Sequence, residues 1–213
     1  LTYYLGLEDD HDMGIKYLHT EENIEYQLAF FKNAEELRFG SDTEISHSRY
    51  AYDVAERNKE VNQFNGKFIY KFGDTIAHRL GISAQYGGLY NLDTQRTGNH
   101  QGFALHYELT SSRWNLKAQA STVSHEPENL PGEDSRILSM AAYGAPYLIA
   151  SNFNIYTLAV SRNFPVDLGP LSNLQFYNDF GFMDKKEADF EDSLMNVTGV
   201  LLTIGNIFTY IDY

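Results

Sequence analysis

Cysteine is absent from all 213 residues, which excludes a disulfide framework and any thiolate-bound metal. Long apolar runs are absent too: no stretch approaches the roughly 18 residues of a spanning helix, and the mean hydropathy of -0.41 is too polar for a helical membrane protein. Positive charge is scarce. Sixteen Lys and Arg against 29 Asp and Glu leave a formal net charge of -13, the wrong sign for gripping nucleic-acid phosphates. No HExxH, GxSxG or phosphate-binding glycine loop occurs, so no enzyme activity and no cofactor is expected. His47 beside Ser48, with Asp53 near, would suggest a hydrolase, but adjacent residues on a strand point to opposite faces. His11, His19, His78, His100, His106 and His125 lack a close ligand spacing such as a helical i, i+4 pair, and no metal site is expected from them.

What the chain has is aromatic residues in alternating stretches. It carries 16 Tyr and 14 Phe, 15% aromatic with its single Trp, and barrels of the outer-membrane type set such residues in girdles at both interfaces. The organising stretch is 61–91. In VNQFNGKFIYKF, Phe64, Phe68, Tyr70 and Phe72 share one face, with Gln63, Asn65, Lys67 and Lys71 opposite. After the turn GDT, Ile76, Leu80, Ile82, Ala84 and Tyr86 oppose Arg79, Ser83 and Gln85. That is the period of two of a pleated strand. Strands of soluble sheets run about five or six residues, whereas these exceed the roughly 9–11 that a tilted strand needs to cross a bilayer. Phe64, Phe68, Phe72, Leu80, Ile82, Phe103, Leu105, Leu116, Leu158, Phe176 and Phe180 are therefore expected to face outward.

The same pattern recurs in residues 13–20, 24–33, 100–110, 114–125, 151–163, 172–184, 194–204 and 207–213. Asn178 falls on the apolar face of its strand, which either a bulge or an interfacial position would explain. The turns EEN, GDT, SSR, FPVDLGPL and GN are short, and EDDHD, residues 34–60, LDTQRTGN, residues 126–150 and KKEADFEDS alternate with them as long connections. An outer-membrane barrel alternates in this way, provided that SRYAYDVA and RILSMAAYG lie inside loops. The expected fold is all-β, a transmembrane antiparallel up-and-down barrel of about 11 visible wall strands forming one domain over residues 1–213; even strand numbers are the rule for such barrels. LTYYLGL at one end and IFTYIDY at the other suggest that strands are missing from both ends. The polar strand faces carry Lys16, Lys67, Lys71, Arg79 and Lys117 against Glu25, Glu108 and Asp179, a mildly cationic lumen; all of these except Glu25 are the candidate pore-lining residues. Residues 34–60 and 126–150 are expected at the mouth, with at least one folding inward to bury Tyr50, Tyr52, Tyr143 and Tyr147.

The runs QLAFFKNAEE, RYAYDV, EVNQFNGKFIY, AQYGGLYNLDT, AAYGAPY, FYNDFGFMDK and DSLMNVTGVLLTIGNIFTYIDY resemble the phosphate-selective porin (porin O/P-like) family of Gram-negative outer membranes over most of the chain. The resemblance implies a parent barrel of about 16 strands, commonly a homotrimer, with loops folded inward and basic residues guiding anions among lipid and lipopolysaccharide. The dense arginine ladder and lysine cluster of a phosphate channel are not visible in this sequence. The expectation is thus a passive channel for small polar solutes with a slight anion preference. A non-conducting barrel serving as scaffold or adhesin, and a soluble β-sandwich binding module, are the alternatives; detergent dependence separates the last from the others.

Overall fold

A computed structural model describes residues 13–33, 53–54, 56–142 and 145–213. Ten strands form one antiparallel sheet in which each pairs with the next wall strand along the chain: β1 (Met13–Thr20), β2 (Ile24–Asn33), β4 (Asn58–Phe72), β5 (Ala77–Asn91), β6 (Thr97–Thr110), β7 (Trp114–Glu126), β10 (Asn152–Leu168), β11 (Leu171–Lys185), β12 (Ser193–Ile204) and β13 (Ile207–Asp212). β3 (Asp53–Val54), β8 (Ile137–Ala142) and β9 (Ala145–Ala150) form a separate three-stranded sheet. The described parts of SRYAYDVA and RILSMAAYG, Asp53–Val54 and residues 136–142, thus stay out of the wall. Of the 11 expected wall strands, the ten on described residues are present, and LTYYLGL lies outside those residues. No helix occurs among them.

Five tight turns close one end of the sheet, at residues 21–23, 73–76, 111–113, 169–170 and 205–206. Gly73, Gly169 and Gly205 take φ of 86°, 62° and 58° there, a region that glycine enters without a Cβ penalty. The other end carries the connections 92–96, 127–151 and 186–192, and the ends of β2 and β4 at Asn33 and Asn58.

Register fixes the two faces. Phe68 pairs with Ile82, and Ile82 with Leu105; Leu158 pairs with Phe180. Large apolar side chains on this face are open to the surroundings, among them Phe64 at 58%, Phe103 at 50% and Phe176 at 54% exposed, while Leu116 and Phe180 on the same face are half-buried. They do not converge on a dry interior. Toward the loop end the face turns polar, with Asn99, Gln101, Ser124, Asn152 and Asn154.

Three features differ from the sequence expectation. FPVDLGPL is mostly strand: β10 runs through Pro165 to Leu168. Beyond Arg162 that strand has left β7 behind and pairs with β11 alone, and an edge without ladder bonds is where proline's missing N–H costs least. LDTQRTGN shrinks to a five-residue turn at 92–96, because the Asn91 side-chain oxygen accepts from the amides of Asp93 and Thr94, each at 3.0 Å, and Arg57 pairs with Asp93. Asn178 causes no bulge. Its amide donates to Asn196 Oδ1 at 2.9 Å and Thr198 Oγ1 at 2.8 Å across the β11–β12 ladder, so a polar cross-strand cluster satisfies it.

Among the register shifts of the wall, the one in β4 changes which side chains reach the polar face. Val61 pairs with Gly88 and Phe64 with Tyr86, so Asn62 and Gln63 stand opposite Gly87 alone, with Asn62 at a φ of 52°. One extra residue inverts the alternation beyond it. Asn58 and Glu60 therefore join Leu89 and Asn91 on the polar face.

Candidate functional site

All seven candidate pore-lining residues stand on the polar face. Lys71, Arg79, Glu108 and Lys117 are register partners in one row across β4, β5, β6 and β7, and the row continues through Ala159 to Asp179. Lys67 pairs with Gln27 and Ser83, and Lys16 with Ala29. Alternation predicts the face; only register brings the charges into one row.

The row largely neutralises itself. Arg79 lies 3.1 Å from Glu25 and 3.7 Å from Glu108, Lys117 lies 3.7 Å from Glu108, and Lys71 reaches Glu25 at 4.0 Å. Lys16 and Lys67 have no ion pair among the described residues. They line a cleft of about 350 Å³ with Gln27, Ser83 and Gln85; Lys67 also borders a second, of about 430 Å³, with His106, Glu108 and Lys117. A third, of about 670 Å³, holds Tyr177, Asp179, Tyr210 and Asp212 beside Lys117. Unpaired positive charge thus sits toward β1–β4 and acid toward β11–β13. Three of the cations expected to set a positive lumen are instead held by acids on neighbouring strands.

Above this row the small sheet covers the wall. Val54 and Met140 pair, as do Leu138 with Ile149 and Met140 with Tyr147, so these five side chains share one face. They pack on Leu89, Phe153, Ile155 and Met183 of the wall, and on half-buried Val123, to form the hydrophobic core. Each of those wall residues is on the polar side of its strand, paired as Phe153 with Val123 and Ile155 with Met183. Segment 126–150 therefore folds onto the polar face, as expected. Tyr147 is half-buried there; Tyr50, Tyr52 and Tyr143 lie outside the described residues, as do His47 and Ser48.

Beside this core is a cluster that the sequence reading missed. His100 and His125 are register partners in β6 and β7, their rings 6.1 Å apart and nearly parallel at 19°. Glu60 Oε1 lies 3.2 Å from His100 Nδ1. His100 is 1% exposed, His125 6% and Glu60 8%. One donor atom of each lies within 4.8 Å of the other two. The neighbouring residues on the opposite face are Asn99, Gln101 and Ser124, so the cluster is above the apolar band. Burial, and secondarily the charge of His125, push His100 down to about 4; burial lowers His125 against the opposing pull of its bond to the Ser151 carbonyl. Both rings are neutral at pH 7. Since a carbonyl only accepts, His125 Nδ1 carries the proton at 3.0 Å from Ser151 O, which leaves Nε2 as its lone-pair nitrogen. His100 Nε2 is buried without a hydrogen-bond partner. The three residues are 40 and 25 positions apart in the chain, and no motif spacing reveals them; the signal was two histidines at matching distances from the SSR turn.

No protein-family model, curated protein or solved structure matches the chain.

Proposed function

We propose that the chain forms the wall of an outer-membrane β-barrel of a Gram-negative bacterium, and that it works as a passive pore for small polar solutes with a slight preference for anions. One observation carries the reading: a ten-stranded antiparallel sheet presents a broad face of exposed Phe, Leu, Ile and Tyr and, on the reverse, a row of charged residues bordering polar clefts. A soluble domain rarely leaves more than a few hundred Å² of contiguous apolar surface uncovered, whereas a barrel wall turns such a face to lipid and lines water with the other. Strands of 15 residues in β4, β5 and β11 and 17 in β10 exceed the roughly 9–11 that a tilted crossing needs. Closure of the sheet, further strands, trimer formation and contact with lipopolysaccharide belong to the same proposal, as does the resemblance to phosphate-selective porins.

Folded into planar bilayers, the protein should give discrete conductance steps with a small reversal potential of anion-selective sign in a salt gradient. Stable insertion without steps would leave a sealed barrel, with the β3–β8–β9 sheet as plug, and would favour the scaffold reading. A chain that stays monodisperse in plain buffer would end the membrane reading.

A further inference from the structure

We propose that Glu60, His100 and His125 form a binding site for a divalent transition ion of the Zn²⁺ class, which fastens the β3–β8–β9 sheet to the wall. Two imidazoles and a carboxylate, with one donor atom of each within 4.8 Å of the others, are a recurrent donor set for Zn²⁺ that leaves a fourth position for water, and imidazole nitrogen favours such ions over Mg²⁺ or Ca²⁺. The spacing suits an ion. Bonds of about 2.0–2.1 Å arranged tetrahedrally set neighbouring donors about 3.3 Å apart, close to the 3.2 Å between Glu60 Oε1 and His100 Nδ1.

The surroundings are those of a built site. His125 donates through Nδ1 to the Ser151 carbonyl, the outer contact that fixes which nitrogen of a histidine faces a metal. The hydroxyl of Ser151 in turn donates to Ser135 O at 2.8 Å, and its amide to Arg136 O at 2.8 Å, so the second shell is the base of the β8–β9 segment itself. A Cβ on Gly87 would lie 2.1 Å from His100 Nε2; only glycine leaves room for the ring. The β4 bulge supplies the third donor by turning Glu60 to this face. The proposal does not depend on the chain's being a channel.

The full chain in detergent micelles, stripped with EDTA and dialysed, should bind one equivalent of Zn²⁺ in excess of exposed-histidine sites. With Co²⁺ it should develop visible d–d bands typical of low coordination number. His100→Gln and His125→Gln should each weaken binding at least tenfold and remove the bands, while His19→Gln and His78→Gln leave them unchanged. Because buried substitutions can harm folding, the wild type supplies an independent readout: Zn²⁺ should raise its melting temperature and EDTA reverse the rise. The proposal fails if the stripped wild type, folded by circular dichroism, binds no more Zn²⁺ than the His100→Gln/His125→Gln double variant. It fails equally if its melting temperature ignores both Zn²⁺ and EDTA.

Discussion

Ile82 and Ser83 are neighbours in β5 that meet opposite surroundings. Ile82 is flanked by Phe68 and Leu105 on the apolar face and is 46% exposed, whereas Ser83 borders two of the polar clefts. If the apolar face meets lipid, arginine at Ile82 must carry its charge into hydrocarbon, at a cost of about 2–4 kcal/mol near the midplane. The same change at Ser83 places the charge in water and should cost well under half of that. Urea titration of Ile82→Arg and Ser83→Arg folded into lipid vesicles measures the difference. Equal losses would mean that the two faces do not differ in solvent, and would count against the barrel.

Elements at the loop end are joined by ion pairs. Arg136, just before β8, donates to both carboxylate oxygens of Asp189 at 3.0 and 2.9 Å and to Asp134 through Nε and Nη2, the latter at 2.7 Å, and it lies over the Phe190 ring at 5.3 Å. The connection before β8 is thereby tied to the one between β11 and β12. Hydrogen bonds from Arg136 draw Asp134 from its ordinary 3.8 to about 2. A carboxyl with a lowered folded pKa contributes stability that is fully present above its unfolded value and disappears as pH falls through its folded one. The tie should therefore hold at pH 4 and above and be lost toward pH 2. A carboxyl-carbon NMR titration should find the Asp134 midpoint near the bottom of that window, and Arg136→Gln should return it toward that of a free aspartate; an Asp134 midpoint unchanged by this substitution would remove Arg136 as the cause. At this scale the sequence was a good guide wherever one strand's own alternation decides the outcome, as in residues 61–91. It misled where a neighbour decides, since Pro165 is acceptable only because β7 has already ended, and the compactness of 92–96 depends on Asn91 side-chain bonds. Glu60, His100 and His125 were illegible for a related reason. Their meeting requires a bulge, a register and a covering sheet, none of which is written in local periodicity.

Over the whole molecule, the polar face behaves as a surface with a charge gradient across its strands. The ion pairs among Glu25, Lys71, Arg79, Glu108 and Lys117 cancel much of the field near the middle, because opposed charges a few ångströms apart look neutral at larger distance. Lys16 and Lys67, without an ion pair among the described residues, line a cleft toward one edge, and Asp179 and Asp212 share a cleft toward the other. If solute passes along this face, selectivity should respond with opposite sign to the two ends. Lys16→Gln/Lys67→Gln should lower the anion-to-cation permeability ratio, and Asp179→Asn/Asp212→Asn should raise it, since rings and patches of fixed charge set local ion concentrations in a pore. Removing Glu25 and Arg79 together changes no net charge and should move the ratio less than either. Reversal potentials in a salt gradient across planar bilayers read all three variants, with unitary conductance reporting whether the pore is intact. Lumen substitutions of this kind tune selectivity without unfolding the wall, so an intact pore is the expected background. Should both charge-removing variants conduct normally with an unmoved reversal potential, ions do not travel along the polar face, and the pore assignment fails at its central claim.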